Sequence, residues 1–244
     1  MSDQGWTPLH KTGAIAALLA AILFRRNIGA EVSLFTGVAG IPTHAAEWFS
    51  LLQTKPFVGM SFLAVFDLCN YFLEGLVFLG LAAALWQTGR SRVAMALASG
   101  LVGIAVSFAT NISLSMMSLS QQYAAAATEA QKSALLAAGQ ALLAFNSPMT
   151  NFPGAGTYLT WLLVALAWLT FSSLLLRSNR VPALVGLLAA GCDLAFCLTF
   201  AFWPTLQVIL MSLGGAFWMI WHLLVGRMLW KQRAFVAQSK SDRG

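Results

Sequence analysis

Ionisable residues lie inside stretches of this chain that are otherwise apolar enough to cross a membrane. Arg25 and Arg26 interrupt the first of these stretches, and Glu74 and Asp193 lie near the centres of two later ones. A charge at bilayer depth costs at least about 2.5–3.5 kcal/mol on insertion scales, so such residues usually face a partner or a water-filled cavity. The charges inside apolar stretches are therefore the best indicators of function in the sequence.

Other polar residues share helix faces with these charges. Asp67, Asn70 and Glu74 have the spacing i, i+3, i+7, which places them on one narrow face of a helix that turns about 100° per residue. Asn111 shares a face of the next stretch with two serines, and His222 lies beside two tryptophans in the last stretch. The candidate residues for a ligand or proton site are therefore Arg25, Arg26, Asp67, Asn70, Glu74, Asn111, Asp193 and His222.

Two interpretations of these residues are open. In the structural one, arginines neutralise carboxylates and hold the helices together, since a guanidinium binds a carboxylate through two hydrogen bonds. It predicts that Arg25 or Arg26 pairs with Glu74 or Asp193. In the functional one, the same carboxylates line a polar pocket or a water-filled path, where they bind a ligand or carry protons.

Composition places these residues in a membrane protein. Of the 244 residues, 59% are hydrophobic and only 9% are charged, whereas an average soluble domain has roughly 25% charged residues. A water-soluble fold would need surface charges that this sequence lacks. We therefore expect an all-α polytopic bundle of transmembrane helices that forms a single integral membrane domain over residues 1–244, with the lipid bilayer as a partner.

Six stretches supply the roughly 20 helical residues that a bilayer core of about 30 Å requires. They lie near 13–37, 57–86, 93–117, 156–176, 181–203 and 206–229. The first has only twelve apolar residues from Gly13 to Phe24, so it crosses the bilayer only if its helix continues through Arg25 and Arg26. Leucines at helical spacing predict a further amphipathic helix near 124–145, over the outer side of the bundle. The sequence shows no clear internal repeat.

The basic residues set the orientation of these spans. Ten of them fall in segments that would lie on one side of the membrane, and only Lys55 and Lys132 fall in the opposite loops. Because cytoplasmic loops carry the excess of Lys and Arg, we expect a multi-pass protein of the cell inner membrane with both termini in the cytoplasm. The same distribution accounts for the net charge of +6 without nucleic acid as a partner.

The sequence lacks the patterns typical of several enzymes and metal sites. There is no G-x-S-x-G nucleophile motif and no phosphate-binding glycine loop. His10 and His44 lie in or near loops, which argues against a haem held by two histidines inside the bundle, and His44, Glu47 and His222 do not make a credible metal site. We therefore expect no metal and no cofactor, and favour a protein without enzymatic activity. His222 is interpreted as a packed histidine that is hydrogen-bonded across helices.

Several segments of the chain form a pattern of their own. They include His10-Lys11-Thr12, Phe66-Asp67-Leu68, the leucine-rich segment from 135 to 143, and the basic, proline and Leu-Gly-Leu-Leu segment from 177 to 188. This pattern resembles a group of bacterial six-helix membrane proteins known only as a domain of unknown function. Gly214-Gly215 stands where that group has a Gly-Glu pair. The resemblance implies the six-helix fold but no activity, substrate or cofactor.

Two functions are compatible with this sequence. In the first, the polar core binds a small ligand, a lipid or a proton in a transporter- or sensor-like protein. In the second, the chain is an accessory or scaffold subunit that binds another membrane protein or a second copy of itself, and its buried charges are purely structural. A hydrated cavity that reaches the carboxylates would favour the first function, and a dry core with closed pairs would favour the second.

Overall fold

The computed structural model describes residues 7–35, 42–146, 154–199 and 202–241 of the chain. In these residues it contains ten α-helices and no strand, which is the all-α bundle that the composition predicts. The helices are α1 (Thr7–Phe35), α2 (Ala45–Thr54), α3 (Pro56–Phe62), α4 (Val65–Leu85), α5 (Arg90–Thr110), α6 (Ser113–Ala125), α7 (Glu129–Phe145), α8 (Ala155–Leu175), α9 (Arg180–Thr199) and α10 (Pro204–Ser241).

Five segments of the described chain are long and apolar enough to cross a membrane. They correspond to the second to sixth predicted spans, and they are Val65–Leu85, Arg90–Ala125, Ala155–Leu175, Arg180–Thr199 and Ile209–Lys231.

The first predicted span has a different outcome. Helix α1 is continuous through Arg25 and Arg26, as a crossing there requires. Its apolar part, Pro8–Leu23, is nevertheless shorter than a bilayer crossing needs. The structure therefore supplies five helices of spanning character rather than six, and a complete crossing by α1 stays a prediction.

The second and third predicted spans differ from the structure where the backbone leaves the helix. Ala64 has a φ of +61°, a left-handed conformation that a right-handed helix cannot include, so α4 begins at Val65 and not near residue 57. The preceding residues form the short α3, with Pro56 in its first turn. The third stretch likewise breaks between Thr110 and Ser113, which separates α5 from α6. Apolar content alone indicates neither break.

The predicted amphipathic segment forms a helix that starts later than expected, at Glu129. The reason is a capping box at Thr128, whose hydroxyl oxygen accepts a hydrogen bond from the Gln131 backbone N–H at 3.2 Å. In return the Gln131 side-chain oxygen accepts one from the Thr128 backbone N–H at 3.3 Å. Residues 124 and 125 belong to the preceding α6.

A helical hairpin occurs twice in the chain. Helices α4 and α8 are both 21 residues long, and both α8 and α9 begin 90 residues after their counterparts α4 and α5. Burial follows the same register, since one set of buried positions, Phe78, Leu81 and Leu85, has the buried counterparts Trp168, Phe171 and Leu175. The sequence does not reveal this repeat because different apolar residues fill equivalent positions.

The residue contacts divide the chain into two compact units. Unit 1 comprises the described parts of Met1–Arg25, Asn70–Ala105 and Thr160–Gly244. Its core combines small residues with aromatic rings, of which Phe78 and Phe171 stack with their centroids 5.5 Å apart.

Unit 2 comprises the described parts of Arg26–Cys69 and Val106–Leu159. Its own core contains the buried side chains of Trp48, Phe49 and Met116. The assignment of the whole chain to one integral membrane domain stays a prediction.

Candidate functional site

Glu74 lies in the middle of α4, and its side chain is only 1% exposed. Each of its carboxylate oxygens has a hydrogen-bonding partner in another helix of unit 1. The indole N–H of Trp168 in α8 donates to Oε1 at 2.5 Å. The imidazole Nε2 of His222 in α10 lies 2.6 Å from Oε2. One carboxyl group therefore joins three helices, and its burial is matched by hydrogen bonds.

His222 is 0% exposed, and both of its ring nitrogens have a partner. Nε2 contacts Glu74, and Nδ1 lies 2.9 Å from the backbone carbonyl oxygen of Trp218, one turn earlier in α10. This confirms the interpretation of His222 as a packed histidine hydrogen-bonded across helices. It corrects the depth expected from the sequence, which placed His222 nearer the cytoplasm than Glu74.

Three tryptophans surround the imidazole. The ring of Trp218 lies closest, with its centroid 3.7 Å from that of His222 and an interplanar angle of 38°. Trp221 and Trp168 meet the imidazole edge to face at 4.9 and 6.2 Å. These rings replace water around the Glu74–His222 pair, and a low local dielectric strengthens every polar contact within it.

The geometry fixes how many protons the pair holds. A carbonyl oxygen only accepts, so the His222 Nδ1 must carry a proton. The 2.6 Å contact between Nε2 and Oε2 requires one further proton between these two atoms, on either side. Without that proton, lone pairs on nitrogen and oxygen face each other. With an additional one, an N–H faces an O–H. Only one protonation level therefore fits this contact.

Asn70 lies one turn before Glu74 on α4, as the sequence predicts. Its side chain is 6% exposed, and its Oδ1 atom is buried with no hydrogen-bond partner in the described part of the chain. It therefore adds an unused acceptor beside the Glu74 cluster.

Asn111 and Asp67 do not belong to this cluster, because both lie in unit 2. Asn111 closes the break between α5 and α6: its amide donates to the Ala64 carbonyl at 3.0 Å, and its Oδ1 accepts from the Ser113 backbone N–H at 3.0 Å. It thus stabilises two backbone irregularities at once. Asp67 is half-buried in the first turn of α4.

Asp193 forms a separate feature in unit 1. It lies six residues before the end of α9, where α10 presents Gly214 to it. A Cβ on Gly214 would lie 3.0 Å from the Asp193 Oδ1 atom. The carboxyl group therefore contacts the backbone of α10, and it is closer to the end of its helix than the sequence suggested.

The predicted pairing of arginine with a carboxylate is not decided by these contacts. Arg25 and Arg26 are placed in α1, but their side chains lie outside the described part of the structure. Glu74 already has His222 and Trp168 as partners. A pairing of either arginine with Glu74 or Asp193 stays a prediction.

The sequence analysis missed the tryptophans that complete the site. Trp168 is the informative one, because tryptophans in membrane proteins concentrate at the interfaces, whereas Trp168 is 3% exposed in the middle of an apolar helix. A buried indole N–H usually finds an acceptor. That requirement was the available signal for a partner to Glu74. Among the described residues, no group of three or more His, Cys, Asp or Glu side chains could hold a metal ion.

Comparison with known proteins adds no relative to this description. No protein-family model, no curated protein and no solved structure matches the chain.

Proposed function

We propose that this chain is a multi-pass membrane protein whose polar core binds one exchangeable proton on the Glu74–His222 pair, in a sensor- or transporter-like role. The observation that carries the proposal is the 2.6 Å contact between Glu74 Oε2 and His222 Nε2, at side chains that are 1% and 0% exposed. Histidine is the side chain whose ordinary pKa lies nearest physiological pH, which suits it to proton exchange.

The ligand class follows from the occupancy of the polar atoms. Both imidazole nitrogens and both carboxylate oxygens are already in hydrogen bonds with protein atoms. A small molecule or a lipid headgroup would have to displace one of these partners, whereas a proton would not. Gain or loss of a proton changes the contact itself, and thereby the packing of α4 against α10.

Few other charges in the described structure compete with this pair. Helix α8 has no acidic or basic residue, and α5 has Arg90 and Arg92 only in its first turn. On α4 itself the other acidic residue is Asp67, and on α10 the next basic residue is Arg227. From α1, His10 and Lys11 lie near its start, and the side chains of its two arginines lie outside the described residues.

The proposal is supported by the recurrence of the hairpin. The position of α8 that corresponds to Glu74 is Val164, which is 4% exposed. The second hairpin therefore packs an apolar side chain where the first packs a carboxyl. A hairpin of this kind does not require an acidic residue for its fold, so Glu74 calls for another explanation, and proton binding supplies one.

The experiment compares the wild type with Glu74→Gln in lipid nanodiscs. A glutamine amide can donate to the His222 Nε2 while its oxygen accepts from the Trp168 N–H, so the shape of the cluster is kept and the shared proton is lost. We expect tryptophan fluorescence to change with pH in the wild type, because Trp218 stacks on the imidazole. The change should be lost in Glu74→Gln and in Trp218→Phe. An identical pH response in wild type and Glu74→Gln would contradict proton binding.

A second candidate is the scaffold function with a purely structural pair. It is favoured by the closure of the cluster, in which every polar atom of Glu74 and His222 has a protein partner. Under this function, Glu74→Gln should keep the oligomeric state and the co-purifying membrane proteins of the wild type, with no change in pH response. Under proton binding, the pH response is the property that changes.

We also propose that both termini lie in the cytoplasm and that the helices cross the cell inner membrane. The support is the excess of basic residues in the segments assigned to the cytoplasmic side. Single cysteines introduced at Arg90 and Lys240 should react with an impermeant thiol reagent from the same side, after the native cysteines are replaced. Reaction of a cysteine at Lys132 from that side would contradict this orientation.

A further inference from the structure

Asp193 differs from Glu74 in having no polar side chain to neutralise it. In the described part of the chain, the structure gives it neither a hydrogen bond nor an ion pair, and its closest neighbour across the helix interface is the backbone of α10 at Gly214. The absence of a side chain at Gly214 is what makes room for the carboxyl, because a Cβ there would lie 3.0 Å from Oδ1.

The surroundings of Asp193 offer no counter-charge. The titratable groups nearest to it on its own helix are the thiols of Cys192 and Cys197. Helix α8 has no acidic or basic residue, and on α10 the nearest described titratable group, His222, is bonded to Glu74. An ionised carboxyl in this position of an apolar helix would be costly, so the neutral acid is favoured.

The companion hairpin shows that this position needs no acid. Gly103 of α5 corresponds to Asp193, and a Cβ there would lie only 3.0 Å from the Val164 side chain and 3.2 Å from the Thr160 carbonyl oxygen. The first hairpin is thus built with no side chain at the equivalent place. Asp193 is an addition to the hairpin, in the same way as Glu74.

We propose that Asp193 is a second proton-binding site, separate from the Glu74–His222 pair, which holds its proton as a neutral carboxylic acid within the bilayer. The side chain is half-buried, whereas Glu74 is enclosed. A reagent dissolved in the hydrocarbon region should therefore reach Asp193 and not Glu74. The inference goes beyond the proposed function, since it does not depend on the state of Glu74 or His222.

A lipid-soluble carbodiimide provides the test, because it reacts with protonated carboxyl groups. The acid proton moves to a carbodiimide nitrogen while the carboxylate oxygen bonds to the central carbon, giving an O-acylisourea. An acyl shift from oxygen to nitrogen then yields a stable N-acylurea. Reagent and carboxylic acid combine in full, and no group leaves.

The full-length protein in phosphatidylcholine–phosphatidylglycerol vesicles is treated with dicyclohexylcarbodiimide, digested, and mapped by mass spectrometry. We expect the adduct on the peptide that contains Asp193, with a labelling rate that falls as the pH rises. Labelling should be lost in Asp193→Asn and kept in Glu74→Gln, which makes the result independent of the Glu74 cluster. A water-soluble carbodiimide should instead label Glu129, whose side chain is 89% exposed.

Several results would overturn the proposal. If the Asp193 peptide carries no adduct at acidic pH, the carboxyl is ionised and paired, as an ion pair with Arg25 or Arg26 would require. If Glu74 is labelled as fast as Asp193, the difference in enclosure between the two carboxyls is wrong. Because the adduct is mapped on the wild type, the proposal is decided even if Asp193→Asn fails to fold.

Discussion

The two units use polar side chains in opposite ways. In unit 2 the polar contacts join neutral amides and hydroxyls to backbone groups at helix ends, as when the Asn146 amide donates to the Thr110 carbonyl at 2.8 Å. In unit 1 Glu74 and His222 bond to each other in the middle of helices, where the backbone groups are already satisfied. Unit 2 thus needs its polar residues to close its chain breaks, whereas unit 1 could form its helices without them. Only the second kind of contact is available to respond to protons.

The largest effect should come from removing one side of the buried pair. Glu74→Ala leaves the His222 Nε2 and the Trp168 N–H without an acceptor, so we expect a loss of about 3–5 kcal/mol in the free energy of unfolding. Glu74→Gln should cost much less, because it restores both hydrogen bonds. Unfolding in bicelles measures the two variants. Equal losses would mean that the cavity, and not the unpaired groups, dominates, and would weaken the contrast between the units.

A smaller effect is expected at the helix break of unit 2. Asn146→Ala removes the donor to the Thr110 carbonyl and the acceptor of the Thr157 hydroxyl, whose Oγ1 lies 2.9 Å from Oδ1. We expect a loss of about 1–3 kcal/mol, the cost of leaving such groups unpaired. Hydrogen exchange should increase around Thr110. The loss should be the same at every pH at which the wild type is folded, and a pH-dependent loss would blur the distinction drawn above.

The N-cap of α7 sets the next step down. Thr128→Ala removes the hydroxyl that accepts from the Gln131 backbone N–H, and caps of this type contribute about 1 kcal/mol. Thr128→Ser keeps the hydroxyl and serves as the matched control. Faster hydrogen exchange limited to the first turn of α7 is the expected result. Unchanged exchange in the alanine variant would show that α7 is held by its packing alone.

The smallest effect should be a weak pH dependence at α2. Backbone N–H groups of Thr43 and His44 donate to the Glu47 carboxylate, and these bonds lower the pKa of Glu47 from its ordinary value of 4.5. Since the folded pKa is the lower one, the contribution is complete above the unfolded pKa and is lost as the pH falls through the folded value. Hydrogen exchange at the start of α2 should therefore rise only in acid. Glu47→Gln should remove this rise.

The sequence predicted the parts of this structure that depend on local pattern. The helical content, the positions of the later spans and the shared face of Asn70 and Glu74 all follow from apolar runs and the turn of the helix. The breaks at Ala64 and Asn111 were missed because they depend on one left-handed residue and on side-chain bonds to the backbone. Such features leave no mark on hydropathy.

The pairing of Glu74 with His222 could not be predicted for a different reason. The two residues are 148 positions apart, so no periodicity relates them. Depth was the one available guide, and it failed because the apolar part of α10 runs from Ile209 to Lys231, slightly later than expected. The shift moves His222 toward the middle of its span, level with Glu74. Trp168 was missed because its hydropathy does not distinguish it from its neighbours.

The long separation between Glu74 and His222 has a consequence for how the protein is made. A ribosome releases the chain in order, and at roughly 5–20 residues per second the 148 residues between these partners take roughly 7–30 s to appear. Trp168 emerges first, only 94 residues after Glu74. During that interval the nascent α4 carries an acid whose final partner has not been synthesised. The newborn helix must wait with that acid protonated or sheltered by the insertion machinery, and α10 completes the assembly when it arrives.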